Sequence, residues 1–518
     1  YAGGPISLQS ANINNNGGSL NVASMAVSQP TFDNHGGTLN VSNGFSANVD
    51  RFDNTGGTLN AGSLNITTTG DLVNVDGKLT SATDATLTVG GSADNTRGTI
   101  AATGALTANV AGALNNTGGT LVANQGVALG AGSLNNTKGS IQSAQAGVQL
   151  TVANQLTNGS GGTIGAATYL KVQAGSLVNA NGASLRGAND VSVAVGGAMT
   201  NDGSITAGRH TTVAAGSLQG GTTGVLGAGI QSDGKLGAAG DLVVTTSGAL
   251  VANGTNLAAG NATLQGASVD LSASQTSAAN IAVTATQGNV VTGSQAKIVT
   301  PGTLRITANA QPGQTLVNDA GTLNAGQLDL NVSNIANTNS GEIVQTGTGA
   351  TGIAVSGTLN NDGGRIASNG QDLSLSGASI INTGGKIEHA GAGTLSIAGG
   401  SYSSTDGQIT GNGALAVAMS DAFNQNGTKA AISANQITID AGSFGNRTGA
   451  QIVQTGTDAT RITVVGALDN SGGTLASNGN TTVAAGNLTN QGGILRAAGT
   501  ADLGLTVGGL LDNSNKGA

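Results

Sequence analysis

The sequence contains no cysteine and no tryptophan, and aromatic residues make up only 2% of its 518 residues. A globular core in a chain of this length normally draws much of its buried area from aromatic side chains, so a row of conventional globular domains is excluded. The lack of cysteine fits a chain that crosses an oxidising compartment in an extended form, where a thiol could be trapped in an unwanted disulfide.

Charged residues are also scarce, at 8%, and the net charge is only -8. The 17 Lys and Arg residues are scattered singly, which excludes the basic patch of a nucleic-acid-binding protein. Helix is disfavoured throughout because Gly, Asn, Thr and Val are abundant, and no apolar run approaches the roughly 18–20 residues of a membrane span. Hydrophobic residues still reach 38%, so the composition predicts a long all-β chain with a thin core, not a disordered one.

A short motif recurs along most of the chain. Residues 32–40 read FDNHGGTLN and residues 52–60 read FDNTGGTLN, and related copies stand at 114–121 (LNNTGGTL) and 134–141 (LNNTKGSI). The first apolar residue of each copy lies 19 to 22 residues after the previous one in the first part of the chain and 19 to 24 residues in the second part. A period near 21 is the length of a solenoid turn, not of a domain. These apolar markers are Phe32, Phe52, Leu72, Ala93, Leu114, Leu134, Leu156, Leu177, Met199 and Leu218, then Leu316, Ile335, Leu359, Ile380, Tyr402, Phe423, Phe444, Leu468, Leu488 and Leu511.

The pattern inside each repeat predicts the fold. Apolar residues alternate with polar ones over four to six positions, and glycine interrupts the alternation, as at Gly62 and Gly70. Alternate residues of a strand share a face, and glycine supplies the positive φ of a sharp corner. We therefore expect an all-β parallel β-helix, a solenoid with roughly 20–22 residues and three short strands per coil. At that repeat length the chain makes about 25 coils.

An asparagine stands two residues after the marker in most repeats. Because residues i and i+2 of a strand point to the same side, this amide faces the interior beside the marker. A buried amide is costly unless it is hydrogen bonded, and stacked Asn side chains can each donate to the next one. We therefore predict a structural ladder formed by Asn34, Asn54, Asn74, Asn95, Asn116, Asn136, Asn158, Asn179, Asn201, Asn318, Asn337, Asn361, Asn382, Asn446, Asn470, Asn490 and Asn513.

The repeats divide the chain into three parts. Residues 1–217 are a first array of repeats, and residues 317–518 are a second array with an internal duplication, in which IVQTGT at 343–348 recurs 109 residues later. In 218–316 the Asn column and the Gly-Gly corner disappear, and Pro301 and Pro312 fall in this stretch. Since proline is tolerated only at edges, corners or bulges of a sheet, we expect 218–316 to form irregular coils that join the two arrays.

The three histidines do not suggest a metal site. His35, His210 and His389 are far apart along the coils and stand in turn-like or outward contexts, so we expect isolated surface histidines. Residues 71–77 have the spacing of the start of a calcium loop but lack its distal Glu.

Paired carboxylates are the other candidate chemistry. Asp33 and Asp53 occupy the same repeat position in adjacent coils, as Asp469 and Asp512 do two coils apart. A glycosidase needs two such groups within about 5–10 Å, but we interpret these residues as a solvated outward column. The sequence predicts no enzyme, no catalytic residue, no metal and no cofactor.

The iterated (L/F)-x-N-x-G-G-(T/S)-(L/I) unit, as at 114–121, resembles the haemagglutinin repeats of filamentous haemagglutinin-type exoproteins. These are the large two-partner-secreted adhesins and contact-dependent growth-inhibition effectors of Gram-negative bacteria. The motif is clear in 1–217 and 317–518 and weak in 218–316. The resemblance implies a right-handed β-helical filament, exported unfolded through an outer-membrane two-partner-secretion transporter and folded at the cell surface.

The function that this resemblance implies is structural. The chain would be a stalk that projects binding or toxin regions of a secreted adhesin or growth-inhibition effector from a Gram-negative cell. Its partners would be the transporter during export and a host or target-cell surface receptor or glycan, with no nucleic acid. The chain starts and stops within a repeat, so we expect it to be a piece of a larger protein.

Three other classes of β-helical protein are alternatives. A carbohydrate-active enzyme usually displays clustered Asp, Arg and aromatic residues on long loops, which 2% aromatics disfavours. An ice-binding solenoid needs a flat outward Thr column, whereas Thr here sits mainly beside the Gly turns. An autotransporter passenger has the same architecture and differs by a C-terminal region that this sequence does not contain.

Overall fold

The computed structural model describes residues 2–8, 12–237 and 239–518. Positions 1 and 9–11 of the predicted first array and position 238 of the predicted joining stretch lie outside the described residues. The described residues form 52 strands and no helix. The chain divides into two units, residues 1–263 and residues 264–518.

In the first unit the strands are Ala2–Leu8, Asn12–Asn14, Ser19–Asp33, Thr38–Asp53, Thr58–Thr68, Leu72–Val73, Lys78–Ser81, Ala85–Val89, Ala93–Asp94, Thr99–Ala102, Leu106–Asn115, Thr120–Ala123, Val127–Asn135, Ser140–Ser143, Val148–Asn158, Thr163–Ala166, Leu170–Asn179, Ser184–Gly187, Val191–Asn201, Ser204–Ala207, Thr211–Gly220, Val225–Ala228, Leu242–Thr246, Leu250–Ala252 and Thr255–Ala258. The strand Asn261–Gly266 contains the boundary between the two units.

In the second unit the strands are Val269–Asp270, Gln275–Ser277, Asn280–Ala285, Val290–Thr292, Lys297–Ala308, Thr315–Asp319, Thr322–Val332, Asn334–Thr338, Glu342–Gln345, Thr351–Ala354, Thr358–Asn360, Arg365–Ser368, Leu373–Ile381, Lys386–His389, Thr394–Thr405, Gln408–Gly411, Ala414–Asn426, Ala431–Ala434, Gln436–Arg447, Gln451–Gln454, Thr460–Asp469, Thr474–Ser477, Thr481–Thr489, Ile494–Ala497, Leu503–Val507 and Leu511–Asp512.

The strands pair in parallel with their counterparts one repeat earlier and one repeat later. Thr99–Ala102, for example, lies between Lys78–Ser81 and Thr120–Ala123, with Ile100 in register with Leu79 and Leu121. Each unit is therefore a parallel β-solenoid, and the two together contain about 24 turns. The predicted fold class is confirmed, with a turn count close to the expected 25.

The second and third strands of a coil are less separate than we expected. Ala85–Val89 and Ala93–Asp94 are two strands, but both pair with the single strand Leu106–Asn115 of the next coil. In that strand the register shifts between Val110 and Ala113. The corner is thus a β-bulge inside continuous pairing, which bends a strand without ending it.

The core is a set of stacked columns of single residue types. Inward positions hold Val, Leu, Ile and Ala, and markers such as Leu134 and Leu156 are at most 2% exposed. Aromatic residues stack where they occur: the ring centroids of Phe32 and Phe52 lie 5.0 Å apart, and those of Tyr402 and Phe423 lie 4.8 Å apart. Such a narrow interior has little room for the bulky side chains that the sequence lacks.

Two glycines with different roles build the turn after the marker. Gly118 has a φ of +63°, yet Arg97 and Lys138 occupy the equivalent turn position in the neighbouring coils with φ values of +54° and +55°. Gly119 has no such freedom, because an added Cβ would lie 2.6 Å from Asn116 Oδ1 and would overlap the carbonyl oxygen of Asn95. The first position therefore requires a left-handed backbone, and the second requires the absence of a side chain.

The same substitution at these two neighbours separates the roles. We expect Gly119→Asn to destabilise its coil by at least ~1–3 kcal/mol, because close backbone contacts must move apart. Gly118→Asn should change stability by only a few tenths of a kcal/mol, since Asn tolerates the left-handed region. Hydrogen exchange of the amides in 95–140 measures both effects locally. Equal loss of protection in the two variants would contradict this account of the turn.

Candidate functional site

The predicted asparagine positions lie in one buried column in each unit. In the first unit the Nδ2 of each Asn donates to the Oδ1 of the next from Asn34 to Asn201, at 2.7 to 2.9 Å. Asn15 belongs to the same column and donates to Asn34 at 2.6 Å. The sequence carries the signal for Asn15, because residues 13–20 read INNNGGSL, but the prediction omitted it.

Each amide joins its own turn to the next coil. Asn116 is fully buried, and its Nδ2 lies 3.2 Å from the carbonyl oxygen of Gly119 in its own turn. The same nitrogen donates to Asn136 Oδ1 at 2.8 Å and lies 3.4 Å from the carbonyl oxygen of Ser140, both in the following coil. The column therefore connects side chain to backbone as well as side chain to side chain.

The second unit divides the column into two runs. Asn318, Asn337, Asn361 and Asn382 are linked at 2.7 Å, and so are Asn446, Asn470, Asn490 and Asn513. Asn513, in the last coil, is exposed and not buried as predicted, because no described coil covers it.

Ser404 and Gln425 occupy the two positions between these runs. Gln425 is fully buried, and neither of its amide atoms has a hydrogen-bond partner among the described residues. Asn446 Oδ1 has none either. Glutamine is one methylene longer than asparagine, so its amide does not meet the next one in the column.

Tyr402 stands beside this interruption. Its hydroxyl accepts a hydrogen bond from Asn382 Nδ2 at 3.3 Å, in the place where the next asparagine would accept. Burial raises the pKa of the Tyr402 phenol to about 12, so it stays neutral at physiological pH.

A second polar column caps the turns and was not predicted. The residue between the marker and the ladder Asn accepts the N–H group two residues ahead: Asp53 Oδ1 accepts from Thr55 N at 2.9 Å, and Asn115 Oδ1 from Thr117 N at 3.2 Å. Partial burial raises the pKa of Asp53, but hydrogen bonds from Thr55 and the charge of Arg51 outweigh it, so the pKa lies below its usual value. The position is half-exposed and holds Asp or Asn where it forms this Asx turn.

The carboxylates weighed as a glycosidase pair belong to this capping column. Asp33 and Asp53 are in register in adjacent coils, as predicted from their repeat position. Both are occupied by turn hydrogen bonds, Asp33 with His35 N at 2.9 Å. Asp469 and Asp512 likewise accept from Ser471 N and Ser514 N.

The histidine expectation was wrong for one residue. His35 and His210 are exposed, but His389 is 2% exposed and its Nε2 lies 3.0 Å from the carbonyl oxygen of Gly370. His389 ends the strand Lys386–His389 two residues after the inward Ile387, so the period of two already assigns it to the interior. Among residues 2–8, 12–237 and 239–518 no three His, Asp or Glu side chains lie together in a way that could hold a metal ion.

The duplicated segment contains a buried polar cluster that occurs twice. Gln345 Oε1 accepts from Leu328 N at 3.0 Å, and its Nε2 donates to the carbonyl oxygen of Gly349 at 2.6 Å. Thr351 and Ser368 hydrogen bond nearby at 2.6 Å.

The second copy of this cluster is 109 residues further along the chain, at Gln454, Thr460 and Ser477. Gln454 Oε1 accepts from Ile437 N at 3.0 Å, and the hydroxyls of Thr460 and Ser477 are 2.9 Å apart. The repeated IVQTGT sequence thus preserves a set of hydrogen bonds and not only a strand.

Charged side chains on the outside also pair between coils. Arg97 donates to both carboxylate oxygens of Asp76, at 2.7 and 2.6 Å, and thereby lowers the pKa of that carboxyl. Arg209 pairs with Asp190 in the same way at 2.6 Å. Such exposed pairs add little to stability, so the order of the coils depends on the interior.

The comparison with protein families decides what kind of solenoid this is. Residues 1–28, 26–76, 75–160 and 163–236 match the family of the haemagglutinin repeat. The chain is a haemagglutinin-repeat protein. The matched residues end at 236, and beyond them the haemagglutinin-repeat chain continues the same Asn-x-Gly-Gly motif and the same coil in the second unit.

Two curated relatives match shorter stretches of this haemagglutinin-repeat chain. It is 51% identical over 119 residues to "Toxin CdiA" of Yersinia pestis, which is 23% of the chain and 4% of that protein. It is 47% identical over 112 residues to "tRNA nuclease CdiA-2" of Burkholderia pseudomallei, which is 21% of the chain and 3% of that protein. No solved structure matches the chain.

The ladder predicts a large contrast between two adjacent asparagines. Asn116→Ala should destabilise its coil by at least ~1–3 kcal/mol, because Asn95 Nδ2 and Asn136 Oδ1 stay buried without their partner. Asn115→Ser should be nearly silent, since a serine hydroxyl can form a similar turn at this half-exposed position. Local hydrogen exchange compares the two. Similar effects at both positions would show that the column does not stabilise the coil.

The interruption of the column predicts a stabilising substitution. Gln425→Asn shortens the side chain so that its amide can donate to Asn446 Oδ1, and we expect a gain of about 1–2 kcal/mol. Slower hydrogen exchange in 402–447 measures it. The control is Gln408→Asn, the same change at a half-exposed position, which should have no effect. A destabilised Gln425→Asn variant would mean that Gln425 is well satisfied where it is.

Proposed function

We propose that the chain is part of the structural stalk of a large secreted adhesin or contact-dependent growth-inhibition effector, displayed on the surface of a Gram-negative bacterium. The observation that carries this proposal is where the repetition lies. The residues that recur from coil to coil are inward ones, the apolar markers and the ladder asparagines, while outward positions vary. A chain under selection for the stacking of its coils has this pattern. We propose no enzymatic activity for it.

The relatives support the same assignment. Both are named as CdiA toxins, and the stretches that resemble this chain are only 3–4% of their length. We propose that binding or toxin regions lie elsewhere in the protein and that these coils hold them away from the cell. The partners would be an outer-membrane two-partner-secretion transporter during export and a receptor or glycan on a host or target cell.

The lack of cysteine and the local energetics of the coils suit export in an extended form. A solenoid coil contacts mainly its two neighbours, so coils can form one after another as the chain emerges. No disulfide has to form or be avoided on the way, because the sequence contains no thiol.

We further propose that 1–217 and 317–518 act as two arrays and that 218–316 joins them. In the first unit the positions in register after Asn201 are Gly220 and Ala252, and in the second unit Thr292 precedes Asn318. These residues cannot continue an amide ladder, although the markers Leu250 and Val290 stay buried. The boundary between the two units also falls in this stretch.

The stalk proposal predicts that whole coils can be removed. The pairings Ile343–Ile366–Ile387–Ile409–Ile432–Ile452 span five coils, so deletion of 343–451 brings Ile452 opposite Leu323 in place of Ile343. We expect the shortened protein to fold and to reach the cell surface as well as the parent does. Protease accessibility on intact cells, with and without the transporter gene, measures display.

A deletion of 343–440, which ends inside a coil, is the matched control. It removes fewer residues but leaves the strands out of phase, so it should misfold and fail to appear at the surface. Loss of display in both deletions, or display without the transporter, would contradict the proposed function.

The two-array proposal predicts where trypsin cuts first. Lys235 lies in 218–316 on a loop outside the coils, and 82% of its side chain is exposed. We expect the first cleavage after Lys235, leaving two resistant halves, because the amide ladder holds the coils on either side. N-terminal sequencing of early fragments identifies the site, and Lys235→Gln should delay cleavage. First cuts at Arg97 or Lys138 would overturn this division of the chain.

A further inference from the structure

One edge of the first unit differs from its other surfaces. It is formed by the residues that directly precede the second strand of each coil, and backbone hydrogen bonds stack these residues in the order Tyr169, Asp190, His210 and Asp241. Leu170 N donates to Asp190 O at 2.9 Å, Val191 N to His210 O at 2.9 Å, and Thr211 N to Asp241 O at 3.0 Å. We call this the hairpin edge, together with the loop described next.

A short hairpin over residues 229–237 protrudes from this edge. Ile230 and Leu236 form an antiparallel bridge, and Gln231 N donates to Lys235 O at 2.8 Å. Gly229 N is held by Arg209 O at 2.7 Å. The hairpin is the reason why the markers Leu218 and Leu250 are 32 residues apart instead of about 21. Insertions in a solenoid repeat form loops on one face, which is often the binding face.

The exposed large hydrophobic side chains of the first unit lie on this edge. Among its described residues these are Tyr169, 50% exposed, and Leu236, 47% exposed. The Tyr169 ring lies directly over buried Gly147, where a Cβ would collide with it, so the ring is held flat against the coil. The Phe residues of this unit are all buried, as at Phe45. An ordered, exposed Tyr in a chain with so few aromatics requires a reason outside the fold.

The charges between these two anchors cancel. Arg209 pairs with Asp190 at 2.6 Å, His210 lies 3.6 Å from Asp241, and Lys235 lies 3.7 Å from Asp233. The edge therefore has no strong field of either sign to attract a charged polymer. It offers an aromatic ring, an aliphatic side chain and a guanidinium, and Tyr and Arg are among the residue types that dominate binding energy at protein interfaces.

We propose that the hairpin edge, namely Tyr169, Asp190, Arg209, His210 and the 229–237 hairpin, binds a protein exposed on the surface of a target cell. This inference rests on the proposed function and names the class of partner. From Tyr169 to Asp241 the edge covers three coil steps, about 14 Å, and the hairpin extends it further. That is the size of the centre of a protein interface. The aliphatic Leu236 favours a protein with an apolar patch over a glycan, which has no comparable group to bury against it.

The test measures binding of the full chain to outer-membrane vesicles from the bacterium that encodes it. The vesicles are used untreated, shaved with protease, or oxidised with periodate. We expect the chain to bind untreated and oxidised vesicles but not shaved ones. Tyr169→Ser/Leu236→Ser should weaken binding at least tenfold, and Thr86→Ala/Thr88→Ala, a change of two exposed residues on a strand face, should not.

The outcomes separate this inference from the stalk proposal. Equal binding by the Tyr169→Ser/Leu236→Ser variant and the unaltered chain overturns the hairpin edge as a site. Binding that survives protease but not periodate assigns a glycan and overturns the protein partner, and no binding to any vesicle overturns the inference as a whole. None of these results changes the outcome of the in-phase deletion, which tests the stalk by surface display. Both altered residues are half-exposed, and an unchanged tryptic pattern checks that the variant folds.

Discussion

A carboxamide buried in a narrow apolar interior must find a partner, and in this protein the partner is the same residue in the next coil. Asn116 donates to Asn136 and accepts from Asn95, so no coil satisfies its own amide. The unpartnered state is costly, whereas each completed link adds only a modest net gain. The ladder therefore acts mainly on register: coils that stack out of phase leave buried amides without partners in every turn they misplace.

This requirement explains the unusual composition. The ladder brings consecutive turns close enough that the carbonyl oxygen of Asn95 lies where a side chain at Gly119 would be. Glycine is thus required by contact between coils, not only by the conformation of the turn. An interior this thin is filled by Val, Leu, Ile and Ala, and it admits aromatic residues only as stacks such as Phe32 on Phe52. The scarcity of charge and aromatics is a consequence of the stacking.

Much of this could be predicted from the sequence, because a solenoid repeats its local rules. Period 21 gave the coil, and period two assigned Asn34 and its counterparts to the interior. The same rule, applied to His389, would have corrected the expectation of a surface histidine. The rest depends on distances that a pattern does not contain: that Asp53 caps its own turn, that Val110 and Ala113 flank a bulge instead of a break, and that one extra methylene removes Gln425 from the ladder.

The ladder also has a direction. Along each run the donor is the earlier coil and the acceptor is the later one, and Nδ2 also reaches the first strand of the later coil, as Asn54 does with the carbonyl oxygen of Lys78. The amide that awaits a partner is already fixed by the coil before it, so the next coil meets an ordered donor instead of ordering one. That reduces the conformational entropy lost when the coil is added. A chain that folds as it emerges, N-terminal coils first, would complete each amide at the moment the following coil forms, and the direction of the ladder favours that order over the reverse.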